Sequence, residues 1–194
     1  MPDRNAQNTP TDSLGHSLAD VARLLAEQKL PPVDKWQPAH VGDSHMRIAA
    51  DGSWFHEGRP IPRPALVRLF STILRREPDG GHVLVTPGEK LSIEVEDAPF
   101  VAVEVTVEGA GRDRRIGFRL NTDDYVVAGP GHSIRVETAD DGTPRPYLHV
   151  RAGLEALIAR SVFYELVELA LADGGDPVGL WSHGEFFAFG STAA

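Results

Sequence analysis

No cysteine occurs among the 194 residues. Disulfides, thiolate metal sites and cysteine nucleophiles are therefore excluded. Basic charge is scarce: 19 Lys and Arg stand against 28 Asp and Glu, for a formal net charge of −9. Nucleic-acid binding needs a basic surface to neutralise phosphates, so no nucleic-acid partner is expected. The best basic cluster, Arg112-Asp113-Arg114-Arg115 with Arg119, reads as a solvated turn and strand edge. Long apolar runs are missing too. No stretch approaches the roughly 18–20 residues of a membrane span, and residues 1–12 lack the apolar run of a signal peptide. A soluble cytoplasmic protein with no membrane partner is expected.

What is present is enough for a core: 41% of the residues are apolar, which suits one ordinary domain or two small ones sharing a core. Residues 1–16 are polar and read as a disordered tail. A helix is expected over Leu18–Lys29, capped by Ser17, with Leu18, Val21, Leu24 and Leu25 on one face. Pro31-Pro32 prevents its continuation. His45–Ala49 and Trp54–His56 read as a β-hairpin around Asp51-Gly52, a pair suited to the positive φ of a type I′ turn. A second helix is expected over Pro64–Arg76, with Leu66, Leu69, Phe70, Ile73 and Leu74 as its stripe. The period then changes to two, with strands at His82–Thr86, Lys90–Val95 and Phe100–Val107. Val101, Val103, Val105 and Val107 should form the buried face of the third.

Gly109-Ala110-Gly111 reads as the junction of two halves, 17–110 and 111–194. Strands are expected near Arg115–Leu120, Tyr125–Val127, Ser133–Glu137 and Tyr147–Val150. A long helix over Gly153–Leu171 and a closing hairpin turning at His183-Gly184 complete the chain. The run Asp51–Gly58 has two weak echoes, Asp123–Gly129 and His183–Gly190. The fold class is thus α+β and β-rich: two loosely repeated antiparallel β modules, each with one main helix, plus the N-terminal helix.

Motifs for chemistry are few. The eight histidines form no HxH, HxxxH or HExxH spacing, so no metal is expected; His45 and His56, on facing hairpin arms, are the closest to a pair. There is no GxSxG elbow, and Gly129-Pro130-Gly131 lacks the Lys-Ser/Thr ending of a phosphate loop. Glu94 and Glu96 share a strand face, flanked by Glu89 and Asp97, but read as a solvated edge and a turn. No cofactor is expected. The remaining constellation is Arg63, Arg75, Arg76, Glu77, Glu89 and Lys90, around the 64–76 helix and the Thr86–Lys90 turn. Such charges either line a groove for an anionic ligand or acidic peptide, or pair with one another at the surface.

Several segments in fixed order resemble the bacterial family named domain of unknown function 1285. They are Met46-Arg47-Ile48, Asp51-Gly52-x-Trp54, Gly58-x-Pro60-Ile61-x-Arg63, Leu66-Val67-x-Leu69-Phe70-Ser71, Leu74-Arg75-Arg76-Glu77, Leu84–Pro87 with Glu89-Lys90, and Val95–Phe100. The likeness runs from about Trp36 onward, most specifically over 45–100. It implies a two-part β-rich fold with repeated motifs and, loosely, a part in signal transduction. It implies no established activity and brings no catalytic residues. Gly88 departs from the pattern, which has a larger residue there, and should loosen its turn.

The expected function is a non-enzymatic ligand- or protein-binding module, an accessory in signalling. Its partner would be a protein or a small anionic ligand at Arg63, Arg75, Arg76, Glu89 and Lys90. One alternative is a small-molecule enzyme using the same charges. Another is a structural homo-oligomer joined through Phe186, Phe187 and Phe189, although alternate Phe residues on a last strand suit a core better.

Overall fold

The computed structural model describes residues 30–190; the expected tail and the expected Leu18–Lys29 helix lie outside them. Each half of the chain builds one six-stranded sheet. The first sheet holds β1 (His40–Ile48), β2 (Trp54–His56), β3 (Arg59–Pro60), β4 (Leu74–Arg76), β5 (His82–Val85) and β6 (Glu89–Val95). The second holds β7 (Phe100–Glu108), β8 (Arg115–Leu120), β9 (Tyr125–Val127), β10 (Ile134–Thr138), β11 (Pro144–Arg151) and β12 (Leu154–Ile158). A hairpin of β13 (Val178–Ser182) and β14 (Glu185–Gly190) closes the chain.

The sheets repeat one plan. Three strands meander outward, three more meander back, and the sixth lies beside the first. The orders are β3-β2-β1-β6-β5-β4 and β10-β11-β12-β7-β8-β9. Return to the first strand makes the central pair parallel: His40 faces Glu89 in one sheet and Phe100 faces Ala156 in the other. The expectation of wholly antiparallel modules is corrected at these two pairs. The echo motifs do not mark the repeat, because Trp54–His56 is a second strand and Tyr125–Val127 a third. Gly109-Ala110-Gly111 lies in the connection between antiparallel partners β7 and β8, so the sheets divide at Glu96–Pro99 instead.

Helix α1 (Pro64–Thr72) starts at a proline, as expected, but ends early. Leu74 and Arg75 turn into β4 and pair with Leu84 and Val83, so the last turn expected to hold Arg75 and Arg76 is a strand. Leu69 is 58% exposed while Leu74 is buried; the expected stripe spans two elements, helix and strand. A similar conflict occurs at Leu154–Ile158. Leu154, Leu157 and Ile158 fit a helix, but Leu154, Ala156 and Ile158 fit a strand, and those three are buried. The parallel pairing with β7 decides for the strand. Helix α2 therefore begins later, at Arg160, and runs to Asp173. It buries Val162, Phe163, Leu166 and Ala170, which share one helical face.

In β7 a register shift between Ala102 and Glu104 breaks the alternation. Phe100, Val101 and Ala102 are all buried, whereas Val103 and Val107 are exposed. Arg114 also departs from expectation. It is buried and forms a two-pronged ion pair with Asp173, at 2.5 and 3.0 Å. Phe187 is in the core and Phe189 packs edge-on against Phe163, which leaves Phe186 exposed. The Gly88 turn is not loose: Thr86 Oγ1 accepts from the N–H groups of Gly88 and Glu89.

One apolar cluster runs through both modules, from Met46, Ile48 and Trp54 to Phe118, Leu148 and Leu166. Polar bonds across the halves add to it. Asn121 Nδ2 donates to Gly52 O at 3.2 Å, and its Oδ1 accepts from Val101 N–H at 3.0 Å. Arg151 reaches Ser71 O at 2.7 Å, from a side chain stacked over Phe100. These residues place the two sheets relative to each other, with a cleft between them.

Candidate functional site

The cleft has a volume of about 430 Å³ and a polar lining. Its floor is the connection Asp97-Ala98-Pro99. β4 and β5 bring Arg76 and His82 from the first sheet. From the second come Arg135 and Glu137 on β10, Tyr147 on β11 and Glu155 on β12. Arg135 and Glu137 share a face because alternate residues of a strand do.

Most charges in the cleft are matched. Arg135 grips Glu155 through Nε at 2.8 Å and Nη2 at 2.7 Å, while its Nη1 bonds Glu137. Its guanidinium lies 4.3 Å above the Tyr147 ring. Tyr147 donates its hydroxyl to Asp97 at 2.8 Å and accepts from Arg145 Nε at 3.1 Å. Arg145 also bonds Asp97 directly. Two-pronged Arg–carboxylate pairing is among the stronger and more directional hydrogen bonding in proteins, so this wall is held in one arrangement.

Two groups stand apart. Arg76 donates to Gly153 O at 3.0 Å and has no carboxylate at ion-pair distance among the described residues. His82 is half-buried, and its Nε2 is buried without a hydrogen-bond partner. Burial, helped by the nearby positive charge of Arg76, pushes its pKa below the ordinary value of 6.5. The other shifts in the cleft run away from neutrality. Hydrogen bonding from Arg135 holds the Glu155 carboxyl below the ordinary 4.5, against the effect of burial. Burial, then the bond to Asp97, pushes the Tyr147 phenol up.

These directions fix the response to acid. The unfolded chain protonates His82 near pH 6.5, whereas the folded chain does so only at lower pH. The contribution of neutral His82 is complete above about pH 6.5 and fades as pH falls through the folded value. Glu77 and Glu155 contribute fully above about pH 4.5 and lose that contribution as pH falls through their depressed values. The urea midpoint is expected to drop in two steps on acidification, and His82→Gln should abolish the upper step only. An upper step that persists in this variant would assign it to another group.

Of the residues expected to form a groove, Arg76 alone lines this cleft. Arg75 is buried and turned to the opposite side, where it donates to Val33 O and Trp36 O at 2.9 and 2.8 Å. Its Nε meets Glu77 at 2.7 Å, and Lys90 Nζ meets the same carboxylate at 3.1 Å. Burial pushes the Glu77 carboxyl up, but the bonds from Arg75 and Lys90 outweigh it and hold the pKa down. Charges at Arg75, Glu77 and Lys90 thus pin residues 33–36 to the sheet. Arg63 is exposed at the start of α1, and Glu89 is exposed at the start of β6.

His82, Asp97, Arg135, Tyr147 and Glu155 were not singled out from the sequence as site residues. The alternation of Arg135 with Glu137 and of Arg145 with Tyr147 was visible, but not which strands would face the first sheet. His45 and His56 do not form a site: His45 sits at a register shift in β1, near Asp43. His132 and His149 do approach, with ring centres 6.2 Å apart. His149 is occupied by backbone, bonded through Nδ1 to Gly131 O and through Nε2 to Gly153 N–H. Among the described residues no three His, Asp or Glu side chains are grouped to hold a metal ion.

The sequence matches two family models on either side of this floor. The first, "Domain of unknown function (DUF1285), N-terminal domain", covers residues 31–98. The second, "Protein of unknown function (DUF1285), C-terminal domain", covers residues 99–189. The chain belongs to the DUF1285 family. The family boundary at 98/99 coincides with the division between the sheets. Among solved structures, a DUF1285 protein from Silicibacter pomeroyi DSS-3 is 49% identical with a TM-score of 0.79, over 90% of this chain and 95% of that one. A DUF1285 protein from Shewanella baltica OS155 is 25% identical with a TM-score of 0.48, over 63% of this chain and 90% of that one. No curated protein matches the sequence.

Proposed function

We propose that this DUF1285 protein is a binding module whose inter-module cleft takes a small anionic ligand. The observation that carries this reading is Arg76. It is the cleft guanidinium that bonds a backbone carbonyl and has no carboxylate at ion-pair distance among the described residues, although Glu155 lies near enough to feel its charge, while Arg135 and Arg145 already hold Glu137, Glu155 and Asp97. An incoming carboxylate or phosphate would complete its pairing, with His82 and the Gly80-Gly81 backbone beside it.

The electrostatics favour binding over catalysis. A general acid or base works best with a pKa near the working pH. Glu155 is held ionised and Tyr147 neutral, so neither changes its proton readily near neutrality. A role as an accessory in signalling fits such a module, since both sheets contribute walls and an occupied cleft would couple them.

Thermal-shift and calorimetric titration with inorganic phosphate, pyrophosphate and succinate test the reading. At least one probe should raise the Tm, because binding to the folded state alone stabilises it. Losing a hydrogen bond to a charged group costs roughly 1.5–3 kcal/mol, so Arg76→Ala should weaken binding by about 10- to 100-fold. Arg63→Ala should bind like the parent. An Arg76→Ala variant that binds every active probe unchanged would overturn the assignment, as would a parent protein that none of the three stabilises.

A further inference from the structure

A second concavity, away from the charged cleft, lies along β9 and has a volume of about 420 Å³, which suits a small molecule. Tyr125, Val127, Pro130 and Val150 give it apolar walls. Arg151 and Asp124 are its charged groups, and His132 and His183 complete the polar part of the lining. Arg151 is half-buried. Its Nη2 donates to Ser71 O at 2.7 Å, and the guanidinium stacks over Phe100 at 5.1 Å from the ring centre. No carboxylate among the described residues stands at ion-pair distance from it. Burial pushes its pKa down, and Asp124, close enough to act on it, works the other way. Asp124 gives one oxygen to the Thr122 hydroxyl, at 2.8 Å. A cation withdrawn from water without a paired anion is costly, so the lining holds two opposite charges that are close but unpaired.

We propose that this concavity binds a free α-amino acid with an apolar side chain. The carboxylate pairs with Arg151 and the ammonium with Asp124, two groups that a zwitterion can bridge. The side chain lies on Val127, Pro130 and Val150. The backbone supplies a further acceptor, because β9 is an edge strand. Ala128 N–H donates to Ile116 O and Leu120 N–H donates to Asp124 O, which makes Val126 and Phe118 the hydrogen-bonded pair between them. Tyr125 and Val127, one residue to either side, therefore turn their N–H and C=O groups off the sheet, where no strand among the described residues pairs with them. An ammonium group has three protons to donate, and these carbonyls suit the ones Asp124 does not take. A simple carboxylate would meet repulsion from Asp124, and a simple amine would meet repulsion from Arg151. The site is separate from the Arg76 cleft and does not rest on the reading of it.

Calorimetric titration of the full-length protein with L-leucine and L-phenylalanine tests the proposal. Each is compared with its analogue lacking the ammonium, isocaproate or hydrocinnamate, and with its analogue lacking the carboxylate, isoamylamine or phenethylamine. At least one amino acid should bind, and both of its analogues should bind about tenfold more weakly or worse. Arg151 also joins the two sheets, so the variant is placed on Asp124. Asp124→Asn keeps the size of the side chain and an oxygen for Thr122 while removing the charge. It should weaken the amino acid about tenfold or more and leave the carboxylate analogue bound as well as before or better, a reversal that loosened packing would not give. Arg76→Ala should bind the amino acid like the parent. Failure of both amino acids to bind at millimolar concentration would overturn the proposal. So would a carboxylate analogue that binds the parent as tightly as its amino acid, or an Asp124→Asn variant with unchanged preference. Loss of binding in Arg76→Ala alone would overturn it in favour of the cleft. The analogue series in the parent decides the matter even if Asp124→Asn does not fold.

Discussion

Gly52→Ala is expected to lose about 3 kcal/mol of folding stability, from backbone strain and overpacking acting together. Gly52 has φ +83°, and a Cβ there would lie 2.5 Å from Asn121 Nδ2 and 2.9 Å from Val101 Cγ2. Asn121 cannot yield freely. Its side chain joins Gly52 O to Val101 N–H, and its own N–H donates to Val101 O at 2.8 Å. The new methyl would separate the first hairpin from the start of β7 and so loosen the contact between the sheets. Gly58→Ala is the matched comparison, because Gly58 has φ +75° with nothing within 4 Å of a Cβ. It carries strain without crowding, worth about 1 kcal/mol. Urea denaturation of both variants separates the contributions. Equal losses would mean that the Asn121 bridge contributes nothing.

Gly179→Ala is the second large effect, and its cause is space alone. A Cβ at Gly179 would lie 2.3 Å from Phe187 O and 2.7 Å from Phe186 Cζ. The Phe186 ring is exposed and able to turn aside, but the carbonyl is part of β14. The β13–β14 pairing must open, and that hairpin is anchored internally. Ser182 Oγ donates to Ala128 O at 2.7 Å and accepts from Ile116 N–H at 3.0 Å. Leu180 and Phe187 beside it are in the core. A loss of about 3 kcal/mol is expected, at the upper end of overpacking costs. It should be accompanied by faster amide exchange in 178–190 and a changed near-ultraviolet signal from Trp181. Gly190→Ala, with nothing within 4 Å, should stay within about 0.5 kcal/mol of the parent. A Gly179→Ala variant as stable as Gly190→Ala would contradict the packing described here.

The candidate site was hardly legible beforehand. By spacing alone Arg75 and Arg76 form a pair in the last turn of one helix, where both would serve one groove. As a strand, the same dipeptide sends one side chain to the Glu77 cluster and the other to the cleft. By spacing alone Glu155 falls in the expected Gly153–Leu171 helix, and Asp97 reads as part of a turn. Each of these residues acquires its role from a partner far along the chain: Arg145 for Asp97, Arg135 for Glu155, and Gly153 for Arg76. Local spacing carries no record of such meetings.

By itself the sequence determined what depends on neighbours. The His183-Gly184 turn, with positive φ at both residues, the proline start of α1 and most strands of both sheets follow from backbone preferences and from alternation over a few residues; Asp51-Gly52 is a turn too, but with positive φ at Gly52 and not at Asp51 it is not of type I′. It also determined the acidic, cysteine-free chemistry and the likeness to its family. Tertiary structure alone decided the two central parallel pairs, the strand state of Leu74–Arg76 and Leu154–Ile158, and the cleft. Short apolar runs fit either period, and the choice falls to whichever edge is free to pair. For β12 that edge is β7, more than forty residues earlier, whose position is set by the return of a whole meander.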